Sequence, residues 1–236
     1  PLWTHAASAE TAAGLRREQA SRRESAVTSA WTAGGVVASD LGMPASGALK
    51  SSGFTLDPVR ATLGLVRRAA ERGVRVFERS AVRRTRFTRK YAEVVLGAAT
   101  IRTTLIYVAT GEPGSVFSQL RRHVAYRDGF AVVTGPLTAP MRAETGSRLS
   151  VATEWGPDPH WLRWLPEARA LFAGALSKAV PPRQVDRAIV QRTGQLMYEL
   201  SVQYPVISGL PATHGCITPV VSTEAGLPWM GPHRNY

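Results

Sequence analysis

The sequence predicts a mixed α/β fold in two parts, one a layered α/β arrangement and the other a mostly antiparallel sheet. Three observations lead there. A capped amphipathic helix, "LDPVRATLGLVRRAAERG", runs almost without a loop into the β-branched "VRVFERSAV". Leu105, Ile106, Tyr107 and Val108 form a continuous apolar run ending in a glycine turn, the pattern of a strand covered on both faces. Residues 121–175 break into short β-like runs separated by Gly, Pro and Asp, the mark of antiparallel strands.

Composition sets the outer bounds. With 44% hydrophobic and 19% charged residues, the 236-residue chain can bury a core and is no candidate for wholesale disorder. Its net charge of +12 comes almost entirely from arginine, in pairs such as Arg16-Arg17, Arg67-Arg68 and Arg121-Arg122 scattered along the chain. A nucleic-acid footprint gathers its cations on one face, so no nucleic-acid partner is expected. The single cysteine excludes an intrachain disulfide and a cysteine-rich zinc site. No apolar run approaches the length of about 18 residues that a membrane helix needs. The start, "PLWTHAASAE", lacks the basic-then-apolar order of a signal peptide, so the expected location is cytoplasmic. Both ends read as cuts in a longer chain.

Residues 1–30 carry helical spacing with a weak apolar stripe of Ala7, Ala12, Leu15 and Ala20, and "WTAGGVVASDLG" follows as a short β-like run. Small and polar residues make 46–53 a loop. Asp57 can then cap a helix with Pro58 in its first position, where a missing amide hydrogen costs nothing. Val59, Leu63, Val66 and Ala70 predict a buried face, and Gly73 a left-handed stop. "VRVFERSAV" is the next expected strand. "AEVVLGAATIRTTLIYVATG" reads as two strands joined by a small-residue turn. "VAYRDGFAVVTGPL", "SRLSVATEW", "HWLRWL" and "ARALFAGAL" supply the antiparallel part, and helical spacing returns at Val185, Ile189, Leu196, Met197 and Leu200.

Nucleophile-elbow, phosphate-loop, zinc-protease and calcium-loop patterns are absent. His5, His123, His160, His214 and His233 lie far apart without ligand spacing, so no metal is expected. Cys216 reads as a small buried thiol. No residue stands out as a catalytic base.

Two segments in order point further. "GFTLDPVRATLGLVRRAAERGVRVFERSAVRRTRF" with the hairpin into "TLIYVATGEPG", followed near the carboxyl end by "VVSTEAGLPWMGPHRNY", resembles the FAD-dependent oxidoreductases of the D-amino acid oxidase and glycine oxidase superfamily. The resemblance implies part of a Rossmann-like FAD-binding domain joined to a mostly antiparallel substrate domain. Residues 1–53 would open the substrate domain, 54–118 belong to the FAD-binding domain, 119–222 to the substrate domain, and 223–236 return to the FAD-binding domain. It also implies FAD as cofactor. Val82 matches the position beside the adenine, Ala109, Thr110 and Gly111 the strand end near the cofactor, and Gly226, Leu227, Pro228 and Gly231 the return segment near the flavin. Two departures stand out: no G-x-G-x-x-G loop precedes these segments, and Ala225, after Glu224, stands where an aspartate is usual.

The implied reaction is oxidation of an amino acid or related amine by hydride transfer to flavin, with the electron acceptor open. The alternatives are a flavin dehydrogenase of a hydroxy acid and a non-catalytic protein that kept the fold. Strand alternation in "HWLRWL" puts Trp161 and Arg163 on one face and His160, Leu162 and Trp164 on the other. Arg163 is the candidate clamp for a substrate carboxylate, because a guanidinium fork gives two parallel hydrogen bonds; a surface arginine, or one paired with Glu167, is the competing reading. Without the phosphate loop the chain by itself is expected to hold FAD weakly and to be inactive.

Overall fold

A computed structural model describes residues 1–146, 150–228 and 230–231; residues 147–149 of the run "SRLSVATEW", together with Trp229 and His233, lie outside the described residues. In chain order the elements are β1 (Leu2–Ala6), α1 (Ala9–Glu24), β2 (Ala30–Ala33), α2 (Gly34–Leu41), β3 (Gly47–Ser51), α3 (Pro58–Glu71), β4 (Arg84–Phe87), β5 (Ala92–Val95), β6 (Thr100–Thr103), β7 (Ala125–Thr134), α4 (Ala139–Glu144), β8 (Val151–Glu154), β9 (Trp161–Leu165), β10 (Arg169–Lys178), α5 (Val185–Gln203) and β11 (Ala212–Ser222). The chain divides into two compact units, Pro1–Phe54 with Arg127–Val220, and Thr55–Tyr126 with Val221–Tyr236.

The first unit is built on an eight-stranded sheet in the order β11-β7-β10-β9-β8-β1-β3-β2. The pairs β1–β3, β2–β3, β7–β10, β9–β10 and β8–β9 are antiparallel, while β1 and β8 run parallel, with Leu2, Trp3, Thr4 and His5 beside Val151, Ala152, Thr153 and Glu154. One face is dry. Trp3, Ala48, Ala152, Leu162, Ala170, Phe172, Phe130 and Val132 are buried there with Val37 and Leu41 of α2 and Leu196 and Leu200 of α5. The spacing 196, 200 is one helical turn, so the periodicity of α5 locates its buried face. Tyr204 closes this core, its hydroxyl donating to Leu41 O at 2.8 Å, and burial pushes its phenol up from the usual range. On the opposite face α1 covers one end of the sheet, with Ala12 and Leu15 against Ala6 and Leu49.

The opening strand was not legible as such. Trp3, Thr4, His5 and Ala6 are all buried, so neither face of β1 alternates with solvent. The helix begins only at Ser8, whose hydroxyl accepts from Thr11 N at 3.2 Å while Thr11 Oγ1 accepts from Ser8 N at 3.0 Å, a reciprocal cap. Residues 47–51, expected as loop, form the antiparallel partner of β1, and most of "WTAGGVVASDLG", expected as β-like, is the helix α2.

The second unit holds α3 and the three-stranded sheet β4-β5-β6. Asp57 caps α3 as its sequence implies, with Oδ1 accepting from Val59 N at 2.9 Å and Arg60 N at 3.0 Å. The β5–β6 pair is the hairpin read from the sequence, with Val94 opposite Ile101. Three expectations fail here. Val59, Leu63 and Val66 are exposed, not buried. "VRVFERSAV" forms no strand and is broken by a turn at Glu78 and Arg79, where Arg79 has a φ of 54°, and "LIYVA" forms no strand either. The cause is common to all three. Such segments become a buried layer only against neighbouring strands and a covering helix, and within this unit Ala92 is the single buried apolar residue among those described.

Candidate functional site

Register on the large sheet defines two rows of side chains on its second face. One row runs Leu2, Val151, Arg163, Leu171, Val133, and the next runs Thr4, Thr153, Trp161, Ala173, Ala131. Arg163 therefore sits between Val151 and Leu171, half-buried, while Trp161 beside it is 52% exposed. The other side of the same strand carries Leu162 and Trp164 into the core, Trp164 meeting Tyr204 edge-on at 5.9 Å, and His160 just before it stacks on Phe172. The alternation read from "HWLRWL" is thus present.

Glu167 pairs with Arg169. Its carboxylate lies 3.4 Å from Arg169 Nε, and Arg169 also donates to Thr213 Oγ1 at 3.2 Å. Arg169 lies opposite Leu165 in the register, on the face of Arg163, giving that face a second guanidinium that sequence reasoning did not single out. Arg169 pairs with Leu165, two residues along β9 from Arg163, and that two-residue step places both on one face of the hairpin.

The eight residues matched to a cofactor all fall in the second unit: Val82, Ala109, Thr110, Gly111, Gly226, Leu227, Pro228 and Gly231. Gly111, Gly226 and Gly231 have φ of 75°, 68° and 143°, conformations that exclude most side chains, and open space lies where each Cβ would be. Thr110 Oγ1 donates to Glu112 O at 2.6 Å, and Thr223 Oγ1 to Leu227 O at 2.6 Å, so local hydrogen bonds shape both turns. Val82 and Leu227 are exposed. Bare backbone flanked by open apolar side chains fits the flat rings of a flavin dinucleotide. The eight include no cation, so they offer nothing of their own charge to a pyrophosphate. Of two surface depressions, one is lined by Asp186, Arg187, Val190 and Gln191 and another by Pro58, Val59, Thr62 and Leu63; neither contains any of the nine sequence-predicted residues.

One reading of a single residue is corrected. Cys216 is exposed, because β11 presents much of its length to solvent. His5 is only 4% exposed, and its Nδ1 has no hydrogen-bond partner among the described residues; burial holds its pKa below the ordinary value, with Glu154 pulling upward and His160 downward. Among the described residues there is no cluster of three or more metal-ligating side chains, and no helix long and apolar enough to cross a membrane.

A family model described as DAO, FAD dependent oxidoreductase, matches residues 2–236. No curated protein matches the chain. Among solved structures the fold is similar to glycine oxidase from Geobacillus kaustophilus (TM-score 0.75, 17% identity, 98% of this chain and 61% of that one). It is also similar to L-proline dehydrogenase from P. horikoshii (TM-score 0.79, 12% identity, 99% and 63%) and to an L-amino acid deaminase from Proteus vulgaris (TM-score 0.63, 18% identity, 95% and 58%). The chain spans about three fifths of the length of these structures.

Proposed function

Since the chain belongs to the family of FAD dependent oxidoreductases, we propose that it supplies the substrate-binding sheet and part of the cofactor domain of an enzyme that oxidises an amino acid or related amine. FAD, the cofactor of that family, supplies the acceptor for the hydride leaving the substrate carbon. Val82, Ala109, Thr110, Gly111, Gly226, Leu227, Pro228 and Gly231 are the residues that would lie against it.

The observation that carries the substrate reading is Arg163 in its row. A guanidinium between Val151 and Leu171 meets a carboxylate where water is partly excluded, and there the charge-assisted pair is stronger than in bulk solvent. Trp161, one pleat away and half-exposed, offers a ring face as a wall for the substrate's side chain. The amine must be neutral to release hydride readily, and clamping the carboxylate at the other end leaves the nitrogen without a competing ion partner. Glycine oxidase, L-proline dehydrogenase and L-amino acid deaminase are named for amino acid substrates, which favours this class over hydroxy acids.

Two measurements test the reading. In the flavin-loaded enzyme that contains this chain, an amino acid added without oxygen should bleach the flavin band, and Arg163→Ala should raise the concentration needed by about 10–100-fold, the worth of one hydrogen-bonded ion pair. An unchanged requirement removes Arg163 from the substrate site; bleaching by hydroxy acids alone replaces the substrate class. The 236 residues by themselves contain no glycine-rich phosphate loop, so purified alone they should retain little FAD.

A further inference from the structure

On the core side of β9 the ring of His160 is enclosed by polar and aromatic groups from three elements. Its Nδ1 lies 2.8 Å from Glu154 Oε2, and its Nε2 lies 3.0 Å from Glu199 Oε2. One ring face stacks on Phe172 of β10, with centroids 5.1 Å apart and planes 3° from parallel. Gly174 makes the room: a Cβ there would stand 2.6 Å from His160 Cδ2. Glu199 is itself held, since Gln195 Nε2 donates to its Oε1 at 2.8 Å and Arg192 donates to Gln195. Glu154 is tied a second time through its backbone, whose N–H donates to His160 O at 2.9 Å.

A neutral imidazole has one N–H and one bare nitrogen, so it can serve one carboxylate and must turn a lone pair toward the other. An imidazolium donates to both. With both ring nitrogens within 3.0 Å of a carboxylate oxygen, the arrangement calls for the second proton.

We propose that His160 is a proton-operated tie whose imidazolium fastens α5, through Glu199, to β8 and β9, and whose deprotonation loosens that helix from the sheet. The charged and titratable groups around it are Glu154 from β8, Glu199 on α5 with Arg192 behind it through Gln195, and His5 from β1. β10 contributes the uncharged Phe172 and Gly174. Asp158, two residues upstream, is occupied by Arg127 at 2.9 Å.

The electrostatics agree in direction. The hydrogen bond to Glu154 is the largest influence and raises His160 above its ordinary 6.5; burial opposes it, and Glu199 adds to the rise. The bond from His160 is likewise the main cause holding Glu154 below its ordinary 4.5. A raised imidazole stabilises the folded chain fully below 6.5, and that contribution disappears as pH climbs through the raised folded value. A depressed carboxylate contributes above 4.5 and loses its contribution as pH falls through the lowered folded value. The tie is therefore strongest between these two ordinary values and weakens on either side.

The test is nuclear magnetic resonance on the isotope-labelled chain. The ring nitrogens of His160 should both carry protons at pH 6.5, with a titration midpoint above that of a free imidazole. Amide exchange in Val185–Gln203, corrected for intrinsic rate, should be measurably slower at pH 6.5 than at pH 8.5, because the imidazolium that holds the helix is lost as pH rises. His160→Gln should retain the fold and flatten that dependence. Should His160→Gln not fold, Glu199→Gln keeps the ring and Glu154 and must still flatten it, because it removes only the helix side. A midpoint at or below 6.5, or a pH-dependent protection of α5 that survives in the variant that folds, overturns the proposal.

Discussion

Replacing Leu63 by alanine in α3 and Leu196 by alanine in α5 should have very different consequences, although both leucines sit on apolar helix stripes. Leu63 is 63% exposed, so about a third of its surface is withdrawn from water. Full burial of a leucine is worth about 1.5–3 kcal/mol, which leaves about 0.5–1 kcal/mol to lose. The better helix propensity of alanine returns a few tenths of that. Leu196 is 0% exposed in a core shared with Phe130 and Phe172, and its truncation leaves a cavity. Substitutions of that kind cost about 2–5 kcal/mol, or about 4–20 °C in the melting temperature of a chain this size. Urea unfolding can follow the two units separately. Five of the six tryptophans, Trp3, Trp31, Trp155, Trp161 and Trp164, lie in the first unit, so in a Trp229→Phe background tryptophan fluorescence reports on it, while amide exchange in Pro58–Glu71 reports on α3. Leu196→Ala should shift the fluorescence midpoint strongly; Leu63→Ala should leave it in place and change exchange in α3 by less than about fivefold. A loss of 2 kcal/mol or more for Leu63→Ala would mean that its stripe is covered, and the account of the second unit given above would be wrong.

Three further substitutions probe local geometry. Asp57→Ala removes the acceptor for Val59 N and Arg60 N and should cost α3 about 1 kcal/mol, read as faster exchange in its first turn. Ala175 holds a φ of 52° beside the register shift in β10, so Ala175→Gly should raise the melting temperature, by about 0.5–1 kcal/mol in stability; a lower melting temperature would show that the methyl packs productively. Gly174→Ala drives a methyl into His160 and should cost about 1–3 kcal/mol while displacing the ring from Glu199, visible as a fall in the titration midpoint of His160.

Local chemistry was legible and long-range partnership was not. The Asp57 cap, the α5 periodicity at Leu196 and Leu200, the β5–β6 hairpin and the alternation around Arg163 depend on neighbours within a few residues, and each could be read directly. Periodicity in α3 marked Val59, Leu63 and Val66 as one stripe, but no pattern within a helix states whether another element covers it. β3 escaped notice because "GALKS" is small and mixed, and becomes a strand only by lying between β1 and β2. The group of His160 was invisible for the same reason: positions 154, 160 and 199 share no spacing, and only the packing of α5 on the sheet joins them. Residues matched to the cofactor came from likeness of ordered segments. Their glycine conformations follow from the structure, and the ligand that would use them belongs to the proposal.

The parallel seam between β1 and β8 has a consequence for biosynthesis. Trp3 donates to Ser150 Oγ at 3.3 Å across 147 positions, so one edge of β1 has no mate until that intervening stretch has followed it out of the ribosome. At translation speeds of about 5–20 residues per second, that edge waits on the order of ten seconds. Meanwhile β3 and β2 can shield the other edge and α1 can cap one face, making a nascent three-stranded platform that the later strands extend. Factors that bind emerging chains should therefore engage the unmated side of Leu2–Ala6 during that interval.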